Sequence, residues 1–396
     1  MMSTIHTTLR TLALFVTLSL PFVPVAGQGI EFFHGTWEEA LVEAKSQDKL
    51  LFVDAYAQWC GPCKRMAKNV FTKAEVGDYF NDNFINLKLD MEQPDGRSFG
   101  SKHTVSAYPT LFFLDPEGEQ VHKSTGGKDV KGLIELGKKA MLNWDRSGDY
   151  AEKYNAGDRD YDLMVGYVTE LNKVGKPSLK ISNDYLKSMP SLTKEQMAGF
   201  LMAAVTESDS RLYTKLMEYK APALALVGAE AFEKKVRTAV MKTVAKAVEF
   251  DFEDLVQEGI DNYKVAGVGD AKKFDLEAQM QYHLLSANYP EWKELSDKYL
   301  KKYGKKEPDL YKKQLADLQK TFTHESDFQE YACDVCKDMV KKKDTADNYS
   351  QYIQLLMGCK NYVEARKVTE EAIKKAQSRD EDIVQFEKIL EYLDKL

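Results

Sequence analysis

Residues 55–66 read "AYAQWCGPCKRM", with Cys60 and Cys63 three apart and Gly61 and Pro62 between them. A pair at this spacing can ligate a metal, make a static cross-link, or carry electrons as a dithiol. A structural zinc needs four ligands. The surrounding segment offers no second Cys pair and only His34, His103 and His122, dispersed along it, so no metal is expected. A static disulfide is the second alternative. Against it stands the placement of the pair, after a strand-like run and at a helix start with proline in the first turn, which puts Cys60 at an exposed helix N-terminus. The helix dipole and the free N–H groups of a first turn stabilise a thiolate and lower the thiol pKa toward neutrality, where exchange is fastest. Cys60 is then the attacking nucleophile, and Cys63, one turn further in, resolves the mixed disulfide it forms. The redox-active disulfide is itself the working group, and no separate cofactor is expected.

Such a pair must be carried by a buried strand, a helix and their neighbours. From about residue 29 to 143 strand and helix signals alternate. "IEFF" (30–33) is a short strand candidate, and Thr36 with Glu39 forms a capping box opening the helix "WEEALVEAKSQ". "KLLFVDAYA" is a nearly continuous apolar run, the pattern of a strand covered on both faces. A helix from about Pro62 through "CKRMAKNVF" is expected to continue in "AEVGDYFNDN" to a turn. "FINLKLD", "TLFFLD" and "VHKST" are further strands, with a hairpin turn at "PEGEQ" and a closing helix at "DVKGLIELGKKAML".

The stretches "FVDAYAQWCGPCK" (52–64), "SAYPTLFFL" (106–114) and "STGG" (124–127), in this order, resemble the thioredoxin family over about residues 29–143. The resemblance implies an α/β domain with a central mixed sheet flanked by helices. It implies that Pro109 is the family's cis-proline and that Asp54 is the buried acid accepting a proton from the resolving thiol. It also implies a client-facing surface made by Trp59, Gly61, Pro62, Tyr108 and Thr110. Two positions depart from the pattern. Asn86 stands where thioredoxins place a Lys near the buried acid, with Lys88 two residues on. Tyr108 precedes the proline as in the "YPT" of protein disulfide isomerases, and "MEQPDGRSFGSKHTVSA" is longer than the family's minimum, adding surface near the site.

The N-terminus reads as an address: a segment with one Arg and no acid, the apolar run "TLALFVTLSL", then small residues, with Val25 and Gly27 suited to a cut before Gln28. Pro21 and Pro24 break the run well short of a bilayer span. The expectation is a signal peptide at 1–27, a thioredoxin-like domain at 28–144 and export, to the periplasm or outside the cell, with no membrane insertion after cleavage. The net charge of -7 over well-mixed Lys and Glu excludes nucleic acid as the main partner. Residues 145–396 show only amphipathic segments separated by turns, predicting an all-α repeat or bundle, with one subdomain or two. The spacing of Tyr362, Ala365 and Ala372 resembles half a tetratricopeptide unit, and "GDRDYDLMVGYVTEL" is a weaker echo, so the array reads as degenerate TPR-like.

The five cysteines are odd in number, so at least one thiol is free or pairs outside the chain. Cys333 and Cys336 repeat the spacing inside a predicted helix without the dipole that makes a thiolate. They read as packing or a static bond, with a relay or regulatory disulfide as the alternative, and Cys359 could pair with either. The leading functional reading is an exported thiol-disulfide oxidoreductase acting on protein clients, as a reductant fed by a membrane-bound electron donor, with the helical region binding clients. The alternatives are a disulfide isomerase, and an interaction scaffold or chaperone-like protein in which the first domain is mainly structural.

Overall fold

The computed structural model describes residues 29–188 and 191–395; the expected leader at 1–27 and its cut before Gln28 lie outside them. The chain divides into two compact units, one ending at Arg146 and the other beginning at Ser147.

In the first unit the order is α1 (Trp37–Gln47), β1 (Leu50–Tyr56), α2 (Gly61–Asn69), α3 (Ala74–Asn83), β2 (Phe84–Asp90), α4 (Pro94–Lys102), β3 (Thr110–Leu114), β4 (Gln120–Thr125) and α5 (Val130–Asn143). The strands form one mixed sheet in the order β2-β1-β3-β4, parallel between β1 and β2 and antiparallel elsewhere. The α/β domain implied by the sequence is present. Strand β1 is buried from Leu50 to Ala55. Its alternation sends Leu51, Val53 and Ala55 into a core with Trp37, Ala40 and Phe99, and Leu50 and Phe52 into a second core with Met66, Phe80 and Leu133. Phe52 meets the rings of Phe80 at 4.9 Å and Phe113 at 5.1 Å, so the second core is a cluster of edge-on and tilted aromatics.

The capping box forms as read: the Glu39 amide donates to Thr36 Oγ1 at 3.2 Å and the Thr36 amide to Glu39 Oε2 at 2.8 Å. Three expectations are corrected. The "IEFF" segment is extended without being a strand, because its amides go to different elements, Ile30 to the Phe71 carbonyl and Phe33 to the Asn86 carbonyl, and no ladder forms. The helix after Cys63 does not continue into "AEVGDYFNDN". It breaks at Val70–Lys73, where branched and aromatic residues favour helix least, and the freed Phe71 carbonyl is taken by Ile30 while Phe71 itself is buried. The long segment after β2 is not merely added surface. It folds as α4, started by Pro94 with Asp95 in its first turn, and Asp95 also accepts the Trp37 amide at 3.2 Å.

Helix α4 lies hard against the end of β2: a β-carbon on Gly96 would sit 2.2 Å from the Asp90 carbonyl oxygen and 2.5 Å from the Met91 Cα. Only glycine permits this approach, and it fixes the turn that carries Asp90 and Glu92.

In the second unit the described residues form helices α6 (Ser147–Asn155) to α19 (Val384–Leu393), with no strand among them. Their buried side chains make two clusters, one running from Leu163 to Ala278 and one from Met280 to Leu393. Helices α16 (Phe328–Lys342), α17 (Ala346–Gly358) and α18 (Tyr362–Gln377) each pack on the next in sequence. Ala365 and Ala372 are buried on α18, as close helix packing requires, whereas Tyr362 is exposed. Among the described residues no helix is long and apolar enough to cross a membrane.

Because Gly96 meets backbone and not a movable side chain, Gly96→Ala is expected to destabilise the chain by about 1–3 kcal/mol, although alanine is the better helix former. Urea denaturation of the two proteins measures this, and an unchanged or raised midpoint would contradict the packing argument.

Candidate active site

Strand β1 ends at Tyr56, and a tight turn returns the chain so that the Cys60 amide donates to the Ala57 carbonyl at 3.0 Å. Cys60 is the N-cap of α2, in extended backbone, with proline in the first turn. Its sulfur accepts the Cys63 amide at 3.1 Å, the capping bond that an oxygen makes at an ordinary helix start. A negative charge on that sulfur would be favoured by the same amide and by the helix dipole. Cys60 and Cys63 are joined as a disulfide with their Cα atoms 5.3 Å apart.

One expectation changes here. Cys60 sits at the helix start but is only 3 % exposed, the same as Cys63. Ala57 lies beside the disulfide and Tyr56 and Tyr108 pack against it. Trp59, Gly61 and Pro62 are exposed around it, and Trp59 is 67 % exposed.

The loop before β3 faces this turn. The Tyr108–Pro109 peptide is cis, and the Pro109 carbonyl accepts the Gly126 amide at 2.8 Å. Gly126 has φ +88°, a conformation that favours glycine, which accounts for the first glycine of the "GG" after β4. The next residues reach α2, where the Lys128 amide points at Met66 Sδ at 3.3 Å. Thr110, expected on the client-facing surface, is instead fully buried, and its hydroxyl donates to the Ala107 carbonyl at 2.7 Å, closing the loop. Trp59 is held from two sides, its indole N–H donating to Glu92 Oε1 at 2.7 Å and its ring edge-on to Tyr108 at 5.7 Å. Glu92 and Tyr56 join the site without a sequence motif that marks them. Glu92 is 33 positions from Trp59, and no local pattern announces such a bond.

Asp54 shares the β1 face of Leu50 and Phe52, the face that α2 covers through Met66. It is 1 % exposed and, among the described residues, neither carboxylate oxygen has a hydrogen-bond partner. Burial pushes its pKa up to about 7, with the Lys88 ammonium pulling in the other direction. The strand register settles the charge partner: Lys88 lies opposite Asp54 and Asn86 opposite Phe52. Lys88 also sits 4.7 Å over the Tyr56 ring. Asn86 is spent on structure, its amide donating to the Phe80 and Glu31 carbonyls and to Asn81 Oδ1. The site therefore has a capped sulfur, a second sulfur one turn on and, on the strand face that α2 covers, a buried carboxyl able to hold a proton near neutral pH. Among the described residues no group of three or more His, Cys, Asp and Glu converges as metal ligands would.

Residues 33–116 match the family model described as Thioredoxin-like. The chain is 37 % identical over 84 residues to protein disulfide-isomerase 1 of Dictyostelium discoideum, covering 21 % of each. It is 29 % identical over 99 residues to the thiol:disulfide interchange protein DsbD of Pseudomonas fluorescens, covering 24 % of this chain and 17 % of the relative. It thus spans about a fifth of the length of these curated relatives. A solution structure of a candidate disulphide-isomerase from Bacteroides thetaiotaomicron is 47 % identical and aligns over 30 % of this chain and 94 % of that one, at a TM-score of 0.27.

The raised Asp54 pKa has a stability consequence with a definite sign. Between its ordinary value of 3.8 and about 7, the folded protein keeps a proton that the unfolded chain releases, so stability falls as pH rises through that window. Above pH 7 the full cost, about 4 kcal/mol, is in place. Asp54→Asn cannot ionise. Denaturation of the disulfide form is expected to show it more stable than wild type by up to about 4 kcal/mol at pH 8, with the difference gone by pH 4. A pH-independent difference would mean that the carboxyl is not the source.

Proposed function

We propose that this chain, which carries a thioredoxin-like family domain at residues 33–116, is a thiol-disulfide oxidoreductase that exchanges disulfides with protein clients through Cys60 and Cys63. The observation that carries the reading is the Cys60 sulfur at the first turn of α2, accepting the Cys63 amide beside the cis Tyr108–Pro109 loop. In the reductive direction the Cys60 thiolate bonds to one sulfur of a client disulfide. The client S–S bond breaks, and one client sulfur leaves as a thiolate. Cys63 gives its proton to Asp54 and attacks the Cys60 sulfur. The second client sulfur is released, and the Cys60–Cys63 disulfide remains, with two electrons passed to the client.

Asp54 is suited to the proton step because a carboxyl poised near 7 accepts and returns a proton at neutral pH. Trp59, Gly61, Pro62 and Tyr108 form the surface a client would meet. The reductant direction is supported by the Gly-Pro dipeptide. A thioredoxin-like potential lies about 150 mV below that of a strong periplasmic oxidase, about 7 kcal/mol for two electrons. Export rests on the sequence of residues 1–27, and an exported reductant requires electrons from a membrane-bound donor. The second unit, read as a degenerate TPR-like array, would bind the clients. Isomerase activity is the second reading, favoured by the Tyr-Pro-Thr sequence and by the disulfide-isomerase relatives.

Two experiments address this. Cys63→Ser, expressed in an exporting host and acid-quenched, is expected to hold discrete client proteins in reductant-sensitive adducts that are absent from the Cys60→Ser, Cys63→Ser control. An absence of adducts above that control, at normal protein levels, would move the function to the helical unit. Disulfide reduction by wild type is expected to rise with pH through about 7, and Asp54→Asn to lose that limb and about 10²-fold in rate. A profile unchanged by the substitution would remove Asp54 from the proton step.

A further inference from the structure

Three further thiols lie in the second unit. Cys333 is on α16, Cys336 is one turn along the same helix, and Cys359 caps the C-terminus of α17. The two helices are consecutive and packed together, joined through Lys343–Thr345, so the beginning of α16 lies beside the end of α17. This brings the Cys333 and Cys359 sulfurs to 3.8 Å, across 26 positions of sequence. Both residues are half-buried and open to a small reagent, whereas Cys336 is fully buried among Tyr331, Val335, Met339 and Ile353. Of the three pairings that the sequence leaves open, the fold places only one at contact distance with both sulfurs reachable.

We propose that Cys333 and Cys359 form a second disulfide of this chain when it meets a low-molecular-weight disulfide oxidant such as oxidised glutathione. The two sulfurs must approach by somewhat under 2 Å to reach bonding distance. Cys359 stands at the last turn of its helix, followed by Lys360 at φ +57°, where the chain leaves the helix and small shifts cost least.

The first attack is assigned to Cys359, which stands at the end of α17 where the chain leaves the helix. Its thiolate bonds to one glutathione sulfur, the glutathione S–S bond breaks, and one glutathione leaves as a thiolate. The Cys333 sulfur then bonds to that of Cys359 and expels the second glutathione. The protein loses two electrons and two protons, and the oxidant becomes two thiols. The bond would staple α16 to α17 at the end opposite their connecting turn. It would leave Cys336 as the one unpaired cysteine, protected by the core, which accounts for the odd count. None of this depends on Cys60 exchanging disulfides with clients.

The full chain, reduced and then exposed to oxidised glutathione, would be alkylated, digested without reductant and read by tandem mass spectrometry. The expected product joins the peptide holding Cys333 to that holding Cys359, with Cys336 alkylated. Oxidation is further expected to raise the thermal midpoint of the second unit by about 5 °C in wild type and not in Cys359→Ser. A bond at Cys336, or glutathione or alkyl label on Cys359 without a cross-link, would overturn the proposal. So would an equal midpoint rise in wild type and Cys359→Ser.

Discussion

Burial of β1 on both faces is the constraint from which the rest of the first unit follows. A strand with no solvent side must find apolar cover above and below, and α1 and α4 supply one layer while α2, α3 and α5 supply the other. At its C-terminal end the chain must turn sharply to reach α2, which puts Cys60 at a helix start and not within a helix. One residue in the strand, Asp54, is a buried carboxyl among otherwise apolar strand residues. With both oxygens unpartnered, it holds a proton that water would remove, and Lys88 on the adjacent strand offsets only part of the burial cost. An acid in such a place costs stability, which is why its proton is held to a higher pH than in water.

The site also reconciles reactivity with protection. The disulfide is covered by Tyr56 and Tyr108, while Trp59, Gly61 and Pro62 stand exposed around it. A sulfur so covered is reached only past the surface shaped by Trp59 and the loop at Tyr108. Glu92 and Tyr108 hold the Trp59 ring from two sides, so that surface is pre-shaped. Helix α4 contributes indirectly, because its glycine contact fixes the turn from which Glu92 reaches Trp59.

The second unit is organised differently. Its helices bury long apolar stripes against their neighbours, and cross-helix bonds such as Tyr331 to Asp297 and Tyr349 to Glu371 tie buried tyrosines to exposed acids. The polar tips of these two tyrosines are thereby satisfied. Its thiols fall where a hairpin of helices brings one beginning beside one end, a geometry set by helix lengths.

The sequence by itself determined the α/β character of the first unit, the helical character of the second, and the reactive pair. Each is written in local terms: periodicity, a capping box, and Cys-Gly-Pro-Cys after an apolar run. It did not place the break at Val70–Lys73, the helix α4, or the Glu92 bond to Trp59, because those are decided by contacts distant in sequence, such as Ile30 to Phe71 and Gly96 to Asp90. Nor could it say that Thr110 turns inward, that Lys88 and not Asn86 faces Asp54, or that Cys333 meets Cys359. Register between strands and proximity between helices are properties of packing, and one residue's slip in either would exchange the neighbours while leaving every local pattern intact.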